Sequence, residues 1–432
     1  MDKSLDPLLR AELAALDAGA RQRRLRALSF ASGQLRDAGG RPLLDVSSND
    51  YLGLSQHPLL KARAAEWAQR HGAGAPASRL VTGTRDITLA VEQRLADFKG
   101  REAALLFSSG FQANATVLPA LARLGPGVGA GDTANTAANA TAIFSDQLNH
   151  ASIIHGARAA RCPVHVFGHN DLDHLDELLA AHAGRKLVVT ESVFSMDGDR
   201  AKLPALAQIA ERHGALLYVD EAHATGILGP QGRGLAAACE GIDVVMGTLG
   251  KAFGAFGAYV AGSRALIDWL VNRCSGFIFT TALPPPVLGA VDAALDLLPG
   301  MDAERARVAA NAQRLREALA ARGISTLESS TQIVPAVIGA ETDTLAAAAA
   351  LEAAGILAVA IRPPTVAPGS SRLRLAINSG LGEAEMGRLL AALSTMIAHP
   401  PPGPTGGFAQ PPGYGGAEQC SAQPRLRPRG KG

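Results

Sequence analysis

Lys251 is set in Gly247-Thr-Leu-Gly-Lys-Ala-Phe-Gly254, a short turn between two apolar runs. A lysine placed there is partly desolvated, which lowers its pKa and makes it a competent amine nucleophile or Schiff-base former. An ion-paired or snorkelling lysine is the plain alternative. Upstream, Asp220 closes a fully apolar run, where an unpaired carboxylate is costly, so a cation or a donor is expected beside it. A pyridinium nitrogen is one such partner. Other apolar runs end in equally telling residues. Run 104–107 leads into Ser108-Ser109-Gly110-Phe111, a potential phosphate nest, and run 142–144 into Ser145, Asp146 and His150. Run 187–190 leads into Glu191 and Ser195, run 216–219 into Asp220 and His223, and run 243–246 into Thr248 and Lys251. A Schiff-base lysine, an aspartate for a ring nitrogen and a phosphate cradle together form the set expected for pyridoxal 5'-phosphate.

Such residues must be gathered at one sheet edge, because open α/β sheets bind ligands outside the carboxyl ends of their strands. From about residue 100 the apolar runs alternate with helical patterns, which predicts a doubly wound, mostly parallel sheet in a large domain over 51–290. Leucines at 5, 8, 9, 13, 16, 25 and 28 follow an approximate helical period and predict an amphipathic N-terminal helix and arm within 1–50, ending in a basic cluster, Arg21 to Arg26. That cluster by itself reads as a solvated face. Helical stretches at about 287–321 and 342–355 around a strand-like 333–338 predict a smaller C-terminal α+β domain over 291–399. Segment 125–142, rich in Gly, Ala, Thr and Asn, reads as an inserted surface loop. Residues 400–432 are rich in Pro and Gly and offer too little apolar surface to offset ordering entropy, so a disordered tail is expected.

The charge balance, 41 Lys+Arg against 39 Asp+Glu, leaves +2 and gives no reason to expect nucleic acid or a membrane surface as partner. The four cysteines lack zinc-type spacing, and no apolar run reaches a membrane-spanning length of about 18 residues. The opening Met-Asp-Lys-Ser-Leu-Asp has no secretory apolar stretch, so a reducing, cytoplasmic location is expected. Asp220-Glu-Ala-His223 is a literal DEAH string, but an NTP-driven helicase also needs a Gly-x4-Gly-Lys-Ser/Thr loop, and Gly250-Lys251 is followed by Ala252. Gly72-Ala-Gly-Ala-Pro-Ala77 matches a loose dinucleotide pattern without a clear preceding strand, so a nicotinamide oxidoreductase is the weaker reading. A pyridoxal-phosphate-binding protein without turnover is the remaining alternative.

Seven ordered motifs resemble those of the α-oxoamine synthases, pyridoxal-phosphate enzymes of fold type I, over about residues 5–397. They are Ser48-Asn-Asp-Tyr-Leu-Gly-Leu54, Ser109-Gly-Phe-Gln-Ala-Asn114, Asn149-His-Ala-Ser152, Val193-Phe-Ser-Met-Asp-Gly198, Val219-Asp-Glu-Ala-His223, Thr248-Leu-Gly-Lys251 and Ile361-Arg-Pro-Pro-Thr365. The last, followed by Ser371-Arg-Leu-Arg374, is more similar to the oxononanoate-forming branch than to the aminolevulinate or 2-amino-3-ketobutyrate branches. The resemblance implies that Lys251 forms the Schiff-base link, Asp220 pairs with the pyridine nitrogen, His150 stacks on the ring and His223 contacts the phenolic oxygen. It also implies that the amides of Gly110 and Phe111, with Thr248, hold the phosphate, with Ser195 nearby. Thr280 and Thr281 match a segment reaching the neighbouring subunit's phosphate, which implies a homodimer. Arg362, with Thr365, matches the arginine for the amino-acid carboxylate, and Arg23 is placed at the acyl substrate. The implied reaction is a decarboxylative Claisen condensation of L-alanine with pimeloyl-CoA or pimeloyl-acyl carrier protein, in which Lys251 is nucleophile and general base in turn. Glycine or serine with another acyl-CoA is the alternative. The chain departs from the family at Thr88, where many relatives carry His, in the 125–142 loop and in the tail.

Overall fold

The computed structural model describes residues 4–31, 33–124 and 141–396. The centre is a seven-stranded sheet, in spatial order β4-β10-β9-β8-β7-β5-β6. Its strands are β4 (Ala103–Phe107), β5 (Ala142–Asp146), β6 (Val164–Phe167), β7 (Lys186–Glu191), β8 (Leu216–Asp220), β9 (Val244–Thr248) and β10 (Ala258–Gly262). Strands β5 to β9 pair in parallel, and β10 runs antiparallel to both β4 and β9. The mostly parallel sheet expected from the alternating runs is therefore present.

Side chains alternate between the two faces, and outside edge strand β6 both faces are buried, which is why these strands read as continuous apolar runs. Leu105, Phe107, Ile143, Val189 and Val260 join one apolar cluster. Ala104, Leu106 and Tyr259 join a second, and Phe144, Val188 and Val219 a third, on the opposite face. Helices α4 (Gly110–Ala122), α5 (Ala151–Ala159), α8 (Arg264–Arg273) and α9 (Ser275–Ile278) lie on the first side. On the other lie α2 (Pro58–His71), α3 (Asp86–Lys99), α6 (Leu172–Ala181), α7 (Leu203–Arg212) and α10 (Pro285–Leu297). Parallel strands need crossovers, and these helices supply them.

The C-terminal part packs α11 (Asp302–Ala320), α12 (Glu341–Ala353) and α13 (Glu383–Met396) against an antiparallel sheet of β11 (Ile333–Gly339), β14 (Ser371–Ala376) and β13 (Val359–Ile361). The expected single helical stretch at 287–321 is two helices, separated at Pro299-Gly300, where proline removes a backbone donor.

The N-terminal helix α1 (Asp6–Ala18) stops ten residues short of its expected end. Gly19 follows it, and Ala20 takes φ +53°, a left-handed conformation that ends the helix. Beyond that break the arginines hold a strap rather than a helix face: Arg21 pairs with Glu341 at 3.2 Å, and Arg26 grips Glu352 with both terminal nitrogens at 2.5 Å. The strap leads into β1 (Ser29–Ala31), β2 (Gln34–Arg36) and β3 (Pro42–Asp45), and β3 pairs in parallel with β12 (Ile356–Leu357) from the far end of the chain. The inserted loop, except its last two residues, and the tail 400–432 lie outside the described residues. Among the described residues no helix is long and apolar enough to cross a membrane, and no cluster of three metal-ligating side chains occurs.

Candidate active site

Five strand ends converge beyond the carboxyl edge of the sheet. Strand β9 does not cross over to a helix. It turns through 249–257 into antiparallel β10, closed by hydrogen bonds from Leu249 N to Gly257 O and from Gly254 N to Lys251 O. Gly254 is obligatory there, because its φ is +64° and a Cβ would stand 2.2 Å from Ser55 N. This turn holds half-buried Lys251 with Nζ 2.7 Å from Nε2 of buried His223.

Burial lowers the lysine pKa to about 8, against the pull of the Asp220 and Glu191 carboxylates, and the Arg374 charge lowers it further. Burial likewise pushes His223 well below its ordinary value, helped by Lys251 and Arg374, so the imidazole is neutral. Its tautomer follows from its partners. Tyr51 OH donates to Asn49 Oδ1 at 3.0 Å, so the Tyr51 oxygen accepts from His223 Nδ1 at 2.7 Å, and the bare Nε2 accepts from Lys251.

Asp220 is buried, and its carboxylate accepts from Asn114 Nδ2 and the Ala222 amide, both at 2.8 Å. Burial raises its pKa, and these donors oppose the rise. Beside it in the β7–β8 pairing stands buried Glu191, whose Oε1 accepts the His150 amide at 2.6 Å. Burial and the neighbouring Asp220 charge raise the Glu191 pKa well above the usual carboxylate range. His150 caps α5 with its ring at the open side of the site, and its pKa is lowered chiefly by partial burial.

Helix α4 begins at the same edge, with Ser109 as its cap accepting from the Gln112 amide. The amides of Gly110 and Phe111 open the helix, and a Cβ on Gly110 would lie 3.9 Å from Thr248 Cβ, so helix mouth and threonine face one another. Thr280 lies near, accepting from Gln112 Nε2 at 2.6 Å, while Thr281 is exposed beside it. Ser195 is buried, and its carbonyl accepts from Arg374 Nε at 2.6 Å.

Arg23, Arg362 and Thr365 are brought together by the strap: Arg23 donates to Thr365 Oγ1 at 3.3 Å, and Arg362 to the Ala20 carbonyl. None of the three has a hydrogen bond to the Lys251 group among the described residues.

Several members escaped the reading of the sequence as individual residues. Asn49 and Tyr51, Asn114 and Arg374 lie inside motifs that were visible, but their contacts cross the fold. Arg374 is buried on β14 and reaches Asn49 Oδ1 at 3.1 Å and Tyr51 OH at 3.4 Å, with no carboxylate in salt-bridge range among the described residues. A buried guanidinium without an anion, close enough to lower the Lys251 pKa, leaves a place for an anionic group.

The donor set fits pyridoxal 5'-phosphate. An amine of lowered pKa, a buried carboxylate that could pair with a ring nitrogen and a helix N-terminus that could hold a phosphate stand at one sheet edge. Residues 41–393 match the family described as aminotransferase class I and II. The chain is 58% identical over 357 residues to an 8-amino-7-oxononanoate synthase of Gluconacetobacter diazotrophicus, covering 82% of this chain and 88% of that one. The chain belongs to the 8-amino-7-oxononanoate synthases. A member from Anaeromyxobacter dehalogenans is 49% identical over 399 residues, covering 91% and 96% of the two chains. Among solved structures, the 8-amino-7-oxononanoate synthase of Francisella tularensis superposes with TM-score 0.68 at 27% identity, covering 82% and 97%. A serine palmitoyltransferase with a pyridoxal-phosphate internal aldimine superposes with TM-score 0.82 at 28% identity, covering 90% and 96%. Like other 8-amino-7-oxononanoate synthases, the protein is a pyridoxal-phosphate-dependent acyltransferase of fold type I, acting in biotin biosynthesis.

Proposed function

We propose that this chain condenses L-alanine with a pimeloyl thioester, releasing CO2 and the free thiol, and that Lys251 is its base. The observation that carries the reading is the Lys251 amine, half-buried, bonded to neutral His223 and lowered to about 8. When bound, pyridoxal phosphate delocalises the electron pair left at the amino-acid Cα. Asp220 would hold the ring nitrogen protonated, His150 would cover one ring face, and His223 would meet the phenolic oxygen, with Ser195 alongside. Gly110, Phe111 and Thr248 would hold the phosphate. Lys251 takes the Cα proton and returns it, because an amine with a pKa near 8 exists in both protonation states near neutral pH. Arg362, supported by Thr365, binds the amino-acid carboxylate, Arg374 offers a second cation for it, and Arg23 faces the acyl substrate.

The same reading makes the enzyme a homodimer, with Thr280 and Thr281 reaching the partner's phosphate. Phe111, Phe256 and Phe279 are exposed around that edge, Phe279 by 82%, and a second copy would cover them. The three free cysteines among the described residues suit a cytoplasmic enzyme. We also propose the division into arm (1–50), large domain (51–290), small domain (291–399) and tail.

The test supplies purified holoenzyme with L-alanine, glycine or L-serine and with pimeloyl-CoA or pimeloyl-acyl carrier protein, following thiol release and product mass. Alanine-dependent formation of 8-amino-7-oxononanoate is expected. Preference for glycine or serine with another acyl-CoA would overturn the substrate assignment.

A further inference from the structure

Asn114 joins two residues that approach the site from different elements. The residue is 1% exposed, and its amide nitrogen donates both to Asp220 Oδ2 at 2.8 Å and to Ser152 Oγ at 2.9 Å. Its Oδ1 accepts from Tyr218 OH at 2.7 Å. The amide cannot be turned over, because the carboxylate only accepts and must face the NH2 group. Ser152 Oγ therefore receives a hydrogen bond from Asn114, and its own proton is directed to His150 Nδ1 at 2.7 Å. The Ser152 amide, which can only donate, reaches the same Nδ1 at 3.2 Å. Two donors converge on Nδ1, so that nitrogen carries no proton, and neutral His150 is protonated on Nε2.

The backbone fixes this arrangement. Helices α4 and α5 touch where Gly156 meets Asn114, so closely that a Cβ on Gly156 would stand 2.2 Å from Asn114 O. The donor chain is thus set by packing between the helices.

We propose that Asn114 and Ser152 are positioning residues that hold His150 as the Nε2–H tautomer and couple its orientation to that of Asp220. The inference rests on the proposed function only in taking His150 and Asp220 as the two residues that flank the cofactor. Neither Asn114 nor Ser152 touches the reacting atoms in this scheme; each acts through its neighbour. Losing one buried hydrogen bond in such a chain corresponds to about a tenfold effect.

The test is a long-range proton–nitrogen correlation spectrum of full-length protein carrying nitrogen-15 histidine, recorded with and without pyridoxal phosphate, with His150→Gln identifying the His150 signals. The expected result is a bare Nδ1 and a protonated Nε2 in both states. Ser152→Ala, with a circular dichroism spectrum matching the parent, should move the signals toward a mixture of tautomers and lower kcat about tenfold with KM within about twofold. Asn114→Ala should do the same and weaken cofactor binding as well. A protonated Nδ1 in the parent, or unchanged His150 signals in both variants, would overturn the proposal. An inactive parent with the expected tautomer would refute the proposed function and leave this inference standing.

Discussion

At the scale of single residues, the proposed roles of Lys251 as nucleophile and base leave no other side chain able to replace it. Lys251→Ala is expected to lower kcat at least about a thousandfold while leaving the far-ultraviolet circular dichroism spectrum unchanged. Substantial residual turnover in the purified variant would contradict its role as base. The lowered amine pKa gives an independent measurement. In protein stripped of cofactor, acylation of Lys251 followed by peptide mass analysis is expected to show a midpoint near pH 8, since only the neutral amine reacts. A midpoint near 10.5, the ordinary value, would show that burial does not act as described. Lys251, Asp220, His150 and His223 were legible in the sequence because each follows an apolar run, and the ends of those runs share one edge of the sheet. Arg374 was not, since it sits inside a strand and reaches Tyr51 across 323 residues of chain. Spacing along the chain carries no trace of such a contact.

At the scale of elements, His169 ties together the two loops nearest His150 and Ser195. Its Nδ1 meets Asp146 at the end of β5 at 3.0 Å, and its Nε2 meets Asp199 at 2.8 Å. Burial alone would lower its pKa, but the two carboxylates outweigh burial and raise it to about 10. A group whose folded pKa is raised stabilises the fold fully below its unfolded value, near 6.5, and that stability is lost as pH rises through about 10. His169→Gln is therefore expected to lower Tm by several degrees at pH 6, with the difference from the parent shrinking toward pH 10. An equal difference at both pH values would show that the imidazolium is not the cause. The strands of the main sheet were readable because burial on both faces leaves continuous apolar runs. The N-terminal helix was over-extended, since Leu25 and Leu28 keep the helical period after Gly19 and Ala20 have already ended it. What holds the strap, Glu341 and Glu352, lies in distant sequence.

At the scale of the whole molecule, the part matched to the aminotransferase family spans residues 41–393, leaving the segment after 400 outside it. Removing 401–432 is expected to leave kcat/KM for pimeloyl-CoA and for pimeloyl-acyl carrier protein unchanged at low and high salt. A salt-sensitive loss confined to the carrier-protein donor would show that the basic tail engages it. The chain also closes on itself, since the strap and β3 are fastened to α12 and β12. During synthesis that closure has to wait. At about 5–20 residues per second, the 320 residues between Arg21 and Glu341 occupy the ribosome for roughly 16–64 s. For that interval the first segment made has no place to dock, and a chain stalled before residue 341 presents the open edge of β3 to whatever chaperone or protease reaches it first.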